Sequence, residues 1–234
     1  MTMNLSPIYG HLANPSMVDF PGRLAVVFFT TGCNFGCGFC HNAGMLAQRK
    51  PGYAWSKLGE ICQRFREQWV DGAVVTGGEP TLEPALPELL DFLRRFGLAI
   101  KLDTNGSCPE VLEQVLPRVD YVAMDIKCSL PSYPALTGFA DTDCIRRSIA
   151  LLKTHARDYE FRTTLVPGFD SDAEMRGIAE LVHGARRYFL QPFLPREDLP
   201  DPGLRTEKRT PPDRLKQLHA LMQGCADEVS VRGD

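Results

Sequence analysis

Short apolar, β-branched runs alternate along the chain with stretches whose apolar residues recur every three or four positions. The runs at 24–30, 72–76, 99–104, 121–127, 160–166 and 187–191 predict six strands, and the periodic stretches at 54–69, 85–96, 109–116, 142–154, 172–183 and 212–222 predict helices. In the stretch 85–96, Leu86, Leu89, Leu90, Leu93 and Phe96 share one face while Glu88, Asp91, Arg94 and Arg95 fill the other. Gly97 ends it, as a residue tolerant of the left-handed conformation. Strands that alternate with helices pack as a parallel sheet, and right-handed crossovers bring all strand C-termini to one side. The predicted fold is α/β, an incomplete (β/α)6 TIM-like barrel with parallel strands and its chemistry at the C-terminal mouth.

That mouth is where the distinctive residues fall. Just past the first predicted strand, Cys33, Cys37 and Cys40 are spaced C-x3-C-x2-C. Three thiolates on one short loop suit an iron-sulfur cube, which normally takes four, so one iron stays open to a small molecule. A zinc knuckle or a plain electron-transfer cluster is the alternative; each needs a fourth ligand, for which His41 is the nearest candidate, and no second ligand pair follows. Gly36 and Gly38 permit unusual backbone angles and are expected to bring amide N–H groups near the sulfurs. Gly77-Gly78-Glu79-Pro80 ends the second strand, where glycines let backbone approach a ligand and Glu79 can accept from an ammonium group. Asp103, Thr104 and Asp125 present hard oxygen atoms at adjacent strand ends, suited to a small cation, and Lys127 can neutralise a carboxylate. The plainer reading makes Asp103 a turn cap, Lys127 a solvated charge and Phe39 a core aromatic.

Composition narrows the class. The 234 residues, 44% hydrophobic, suit one domain spanning residues 1–234. A formal charge of −3 with scattered basic residues argues against a nucleic-acid surface, and the stretch 205–214 reads as a solvated connector. No signal peptide opens the chain and no apolar run reaches the roughly 20 residues of a membrane span, so a cytoplasmic location is expected. There, the eight cysteines stay reduced and close spacing means metal binding. Cys62, Cys108, Cys144 and Cys225 read mostly as small buried hydrophobes, while Cys128, beside Asp125 and Lys127, is held open. Residues up to Pro15 and the Pro-rich segment 194–212 look least constrained.

The cysteine spacing with an aromatic before the third cysteine, followed 36 residues after Cys40 by GGEP, resembles the radical S-adenosylmethionine (radical SAM) superfamily. Val18-Asp19-Phe20-Pro21-Gly22, Cys40-His41-Asn42, Leu102-Asp103-Thr104-Asn105-Gly106 and Met124-Asp125-Ile126-Lys127 resemble glycyl radical enzyme activases, above all those of anaerobic ribonucleoside-triphosphate reductase. The resemblance covers a core of about 17–195, leaving 196–234 as a C-terminal extension. It departs from the family at Gly36 and Gly38, where related proteins carry larger side chains. The resemblance implies a [4Fe-4S] cluster on Cys33, Cys37 and Cys40, with its open iron binding S-adenosylmethionine, whose cleavage yields a radical that takes hydrogen from a glycine of a partner enzyme. It further implies that Phe39 lies by the adenine, that Gly77, Gly78, Glu79 and Pro80 receive the ammonium, that a monovalent cation sits at Asp103, Thr104 and Asp125, that Lys127 meets the carboxylate, and that Arg162 lies near the ligand. No cysteine-rich ferredoxin module is inserted after Cys40, so an external donor such as flavodoxin must supply electrons. Two other enzymes stay in play, one resembling 7-carboxy-7-deazaguanine synthase, whose family has Asp where His41 stands, and a pyruvate formate-lyase-type activase. A non-catalytic iron-sulfur protein is the remaining reading.

Overall fold

The computed structural model describes residues 5–46 and 50–233. One sheet carries eight strands in chain order: β1 (Gly10–His11), β2 (Ala25–Thr30), β3 (Gly72–Gly77), β4 (Ala99–Thr104), β5 (Tyr121–Asp125), β6 (Tyr159–Leu165), β7 (Ala185–Pro192) and β8 (Ala226–Val231). Strand β1 runs antiparallel to β2, and every later neighbouring pair is parallel. The helices are α1 (Ala43–Leu46), α2 (Trp55–Glu67), α3 (Leu86–Arg94), α4 (Pro109–Val115), α5 (Tyr133–Thr137), α6 (Thr142–His155), α7 (Asp172–Val182), α8 (Pro202–Arg205) and α9 (Pro212–Met222). Among the described residues no pairing joins β8 to β1, so the barrel is open on that side.

Strands β2 to β7 are the six predicted from periodicity, with ends shifted by a residue or two. Helix α3 buries Leu86, Leu89, Leu90 and Leu93 as its pattern requires, and Gly97 follows at φ +69°. The sequence did not announce β1, which is too short to show a period, nor β8, whose Asp227 and Glu228 are exposed and break any apolar run. The two supposedly slack segments are both docked. Residues 9–16 run along β2, with Tyr9 N–H donating to the Phe29 carbonyl at 3.1 Å and Ser16 bridging Ala25, while Ile8 is fully buried. The segment 194–205 lies against the cysteine loop, with Asp201 N–H on the Gly38 carbonyl at 3.0 Å.

Period-2 alternation decides what faces the barrel interior. On β2, Val26 and Phe28 join the large core shared with the helices, while Ala25 and Val27 join a small inner core with Phe20, Val74 and Tyr121. Farther round the sheet the outward residues stay apolar, as Ile100, Leu102, Val122, Met124 and Phe161 show. Their inward neighbours are instead Lys101, Asp103, Asp125, Glu160 and Arg162, so one interior wall is apolar and the other charged.

Candidate active site

A cleft of about 490 Å³ opens at the C-terminal ends of the strands. Cys33, Cys37, Phe39 and Cys40 line it from the loop after β2; Gly77, Gly78 and Glu79 line it from the end of β3. Asp103 and Thr104 enter from β4, Asp125 and Lys127 from the end of β5, and Arg162 from β6. Pro80 is the one predicted residue outside the wall: it starts a buried 3-10 turn over Pro80–Leu82.

The cysteine loop buries Cys37 and half-buries Cys33 and Cys40. Burial pushes all three up, Cys37 to about 11, and Lys127 pulls each partly back. Cys33 Sγ accepts from Phe35 N–H at 3.4 Å and from the Asn105 side-chain amide at 3.7 Å. All eight cysteines are free. Among the described residues no three His, Cys, Asp or Glu side chains converge on the point a single metal ion would take. The three thiols instead surround one cleft, a soft-donor arrangement that fits a multi-iron centre whose ligands stand at separate corners. His41, the candidate fourth ligand, directs Nε2 to the Leu194 carbonyl at 3.1 Å.

The two loop glycines work differently from expectation. Neither has a positive φ, and the amide of Gly36 donates to the Thr137 carbonyl at 2.7 Å rather than to sulfur. A Cβ at Gly36 has room, 3.6 Å from its nearest neighbour, whereas one at Gly38 would meet Asp201 Cβ at 2.8 Å.

The GGEP glycines answer first to the cysteine loop, not to a ligand. A Cβ on Gly77 would stand 2.3 Å from the Thr30 carbonyl oxygen, and one on Gly78 would stand 1.9 Å from that of Gly32. This close approach lets Gly78 N–H donate to Thr30 O at 3.0 Å and Glu79 N–H donate to Gly32 O at 2.8 Å. Asn42 adds a side-chain bond to the Gly77 carbonyl at 3.2 Å. Glu79 itself is 1% exposed. Its Oε1 accepts from Thr81 N–H, the Thr81 hydroxyl and the Thr104 hydroxyl, and its Oε2 from Asn105 N–H at 2.6 Å. Burial raises its pKa, and these four bonds oppose the rise. Each carboxylate oxygen carries two lone pairs, and Oε2 has spent one on Asn105 N–H, so it retains one.

Charges alternate across strands β4 to β6. Asp103 pairs with buried Lys101 on one oxygen and with Arg162 Nη2 at 3.6 Å on the other. Asp125 accepts from Arg162 Nε and from Lys127 Nζ, each at 2.9 Å. Burial alone would raise the Asp125 carboxyl, yet Arg162 and Lys127 hold it well below the usual carboxylate range. Burial likewise works against the charge of Lys127, and Asp125 more than restores it. The Lys127 ammonium also stands 5.7 Å over the ring of buried Phe39. Where the sequence suggested a cation among Asp103, Thr104 and Asp125, the structure has the Arg162 guanidinium between the two carboxylates and the Thr104 hydroxyl turned to Glu79.

Among the wall residues that the sequence did not single out, Asn105, Asn42, Asp19 and Arg232 are polar or charged groups that bear on the site. Asn105 and Asn42 tie the cysteine loop to β4 and β3; both stand inside segments already marked, DTNG and CHN, which was the available signal. Asp19 belongs to the DFPG segment. Arg232 had no signal: it arrives from the far end of the chain and grips buried Glu160 with two bonds of 2.5 and 2.8 Å. Of the other cysteines, Cys62 and Cys225 are buried as expected, Cys128, held open on the sequence, is buried too and pushed up to about 12, and Cys108 and Cys144, expected inside, are only half-buried.

The profile of the Radical SAM superfamily matches residues 27–182. A protein of Methanocaldococcus jannaschii named as a glycyl-radical enzyme activating enzyme is 31% identical over 93% of this chain and 92% of its own length. The 7-carboxy-7-deazaguanine synthase of Neisseria meningitidis is 33% identical, over 44% of each chain. Among solved structures, SuiB of Streptococcus suis superposes with a TM-score of 0.70 at 13% identity, covering 88% of this chain and 48% of that one, a likeness of fold. With a match across the barrel and a relative aligned along nearly its whole length, the chain belongs to the radical SAM superfamily and, within it, to the glycyl-radical enzyme activating group.

Proposed function

We propose that this enzyme makes a glycyl radical on anaerobic ribonucleoside-triphosphate reductase, using a [4Fe-4S] cluster on Cys33, Cys37 and Cys40 and S-adenosylmethionine. The observation that carries the reading is the direct bonding of the cysteine loop to the GGEP loop on the wall of one cleft that also holds Lys127, Asp125 and Arg162. When bound, the cluster supplies the electron that splits the sulfonium ligand and so provides the radical that takes hydrogen from glycine. The chain's own residues place and shelter the reactants. Glu79 Oε2 keeps an acceptor for the ligand's ammonium, and Lys127, with one donor spent on Asp125, offers others to its carboxylate. Gly77 and Gly78 give backbone close approach, and Phe39 presents an apolar face for the adenine. Asp103, Thr104, Asp125 and Arg162 hold the wall's charges in register; a monovalent cation at those oxygens would have to displace Arg162.

A protein substrate fits the chain-length match to the activating enzyme better than a small molecule fits the match of 44% to the synthase. The activase reading is supported by the DFPG, CHN, DTNG and MDIK segments. Cys62 is the sole cysteine between β2's loop and β3, and it is buried, so electrons come from an external donor such as flavodoxin in the cytoplasm. The test mixes anaerobically reconstituted protein, S-adenosylmethionine and reductant with each candidate partner and records the electron paramagnetic resonance spectrum. A glycyl doublet on the reductase is expected. A doublet on a formate-lyase-type enzyme alone overturns the target, and release of 5′-deoxyadenosine with no doublet on any partner overturns the activase reading.

A further inference from the structure

Residues 194–205 touch the cysteine turn at both of its ends. At one end Asp201 N–H donates to the Gly38 carbonyl at 3.0 Å. At the other, His41 Nε2 lies 3.1 Å from the Leu194 carbonyl; a carbonyl only accepts, so that nitrogen carries the proton. The approach at Gly38 is too close for any side chain, because an added Cβ would stand 2.8 Å from Asp201 Cβ, an atom fixed to its own backbone. Gly38 has no positive φ, so the neighbour alone excludes a larger residue. The segment is also anchored within itself. Leu199 is fully buried, Arg205 Nε donates to the Leu199 carbonyl at 2.7 Å, and Asp201 Oδ1 caps α8 by accepting from Gly203 N–H at 2.8 Å.

We infer that residues 194–205 form a strap that fixes the 37–41 turn in its ligand-bearing shape, with Gly38 the position that admits it and Asp201 and His41 the positioning residues. Cys37 and Cys40 bracket the point of contact, so the strap sets where two of the three thiols stand and how much solvent reaches them. The role in cluster binding rests on the function proposed above; the contact itself does not.

The test uses the metal-free, reduced, full-length protein, alkylated with iodoacetamide and followed cysteine by cysteine by peptide mass mapping. In Gly38→Ala the new methyl overpacks the contact, and labelling of Cys37 and Cys40 is expected to rise roughly tenfold while Cys62 and Cys225 keep their wild-type rates. Asp201→Gly removes the opposed Cβ and leaves a residue acceptable at a helix N-cap, so Gly38→Ala/Asp201→Gly should return close to wild type. The rate at which a chelator strips iron from the reconstituted proteins should follow the same order. Equal labelling in Gly38→Ala and wild type, a double variant as reactive as Gly38→Ala, or Cys62 and Cys225 opening together with the turn would each overturn the strap. Because alkylation needs no cluster, its outcome is independent of whether a glycyl radical forms.

Discussion

Cys37 shows how a single buried thiol couples acidity to stability and to metal loading. Its pKa rises from 9.0 to about 11 on burial, so the folded chain keeps a proton that the unfolded chain gives up first. The resulting stabilisation is full below pH 9 and is lost as the pH climbs toward 11, with Cys225 acting in the same sense. Alkylation of Cys37 in the metal-free protein, mapped against pH, should therefore show a midpoint near 11; a midpoint near 9 would mean the thiol is solvated. Glu79 is the other residue whose surroundings dictate an outcome. All four of its bonds come from donors, so Glu79→Gln must point its amide N–H2 at a donor. Each donor orphaned in this way costs about 1–3 kcal/mol, a loss to be read from urea unfolding of the metal-free variant.

Arg232, the residue that follows β8, meets Glu160 of β6 in a bidentate pair, with the carboxylate wholly buried and Tyr121 OH donating to it at 2.6 Å. Arg232 also stacks 3.8 Å over Phe189, so the last strand is tied to the barrel wall by charge and by an aromatic face. Burial would raise Glu160, but Arg232 and Arg162 keep its pKa low. Removing Arg232 leaves the buried carboxylate without its hydrogen-bonded counter-charge, with only the field of Arg162 still opposing burial. Arg232→Met is expected to lose about 3–5 kcal/mol of unfolding free energy, and Glu160→Gln/Arg232→Met to recover most of it. Additive losses in the double variant would show that the pair is not coupled.

One large apolar core runs from Ile8 through Leu58 and Leu89 to Leu218, Met222 and Cys225, so the C-terminal extension shares its packing with the start of the chain. A core shared in this way predicts cooperative unfolding of the two parts. Heating or urea should give one transition for the metal-free chain, with the signals of the 1–195 and 196–234 parts coincident; a separate, earlier transition of the extension would mark it as an independent unit. No helix among the described residues is long and apolar enough to cross a membrane.

What could be read ahead of any coordinates was whatever is encoded locally. The period-2 and period-3.6 patterns specify β2 to β7 and the longer helices between them, though not the short α1 and α5, because burial on one or both faces demands apolar residues at fixed intervals. The three thiols and GGEP were legible for the same reason: each is a few consecutive residues at a strand end, and parallel strands send all such ends to one mouth. Strand β8, Arg232, the bridge of Arg162 between Asp103 and Asp125, and the contact of Asp201 with Gly38 left no such mark. Their partners lie 37 to 163 residues apart, so their meeting depends on strand register and on the path of the closing segments. Local spacing thus determined which groups stand at the mouth; tertiary packing alone decided which charges they spend on one another and which face is left for a ligand.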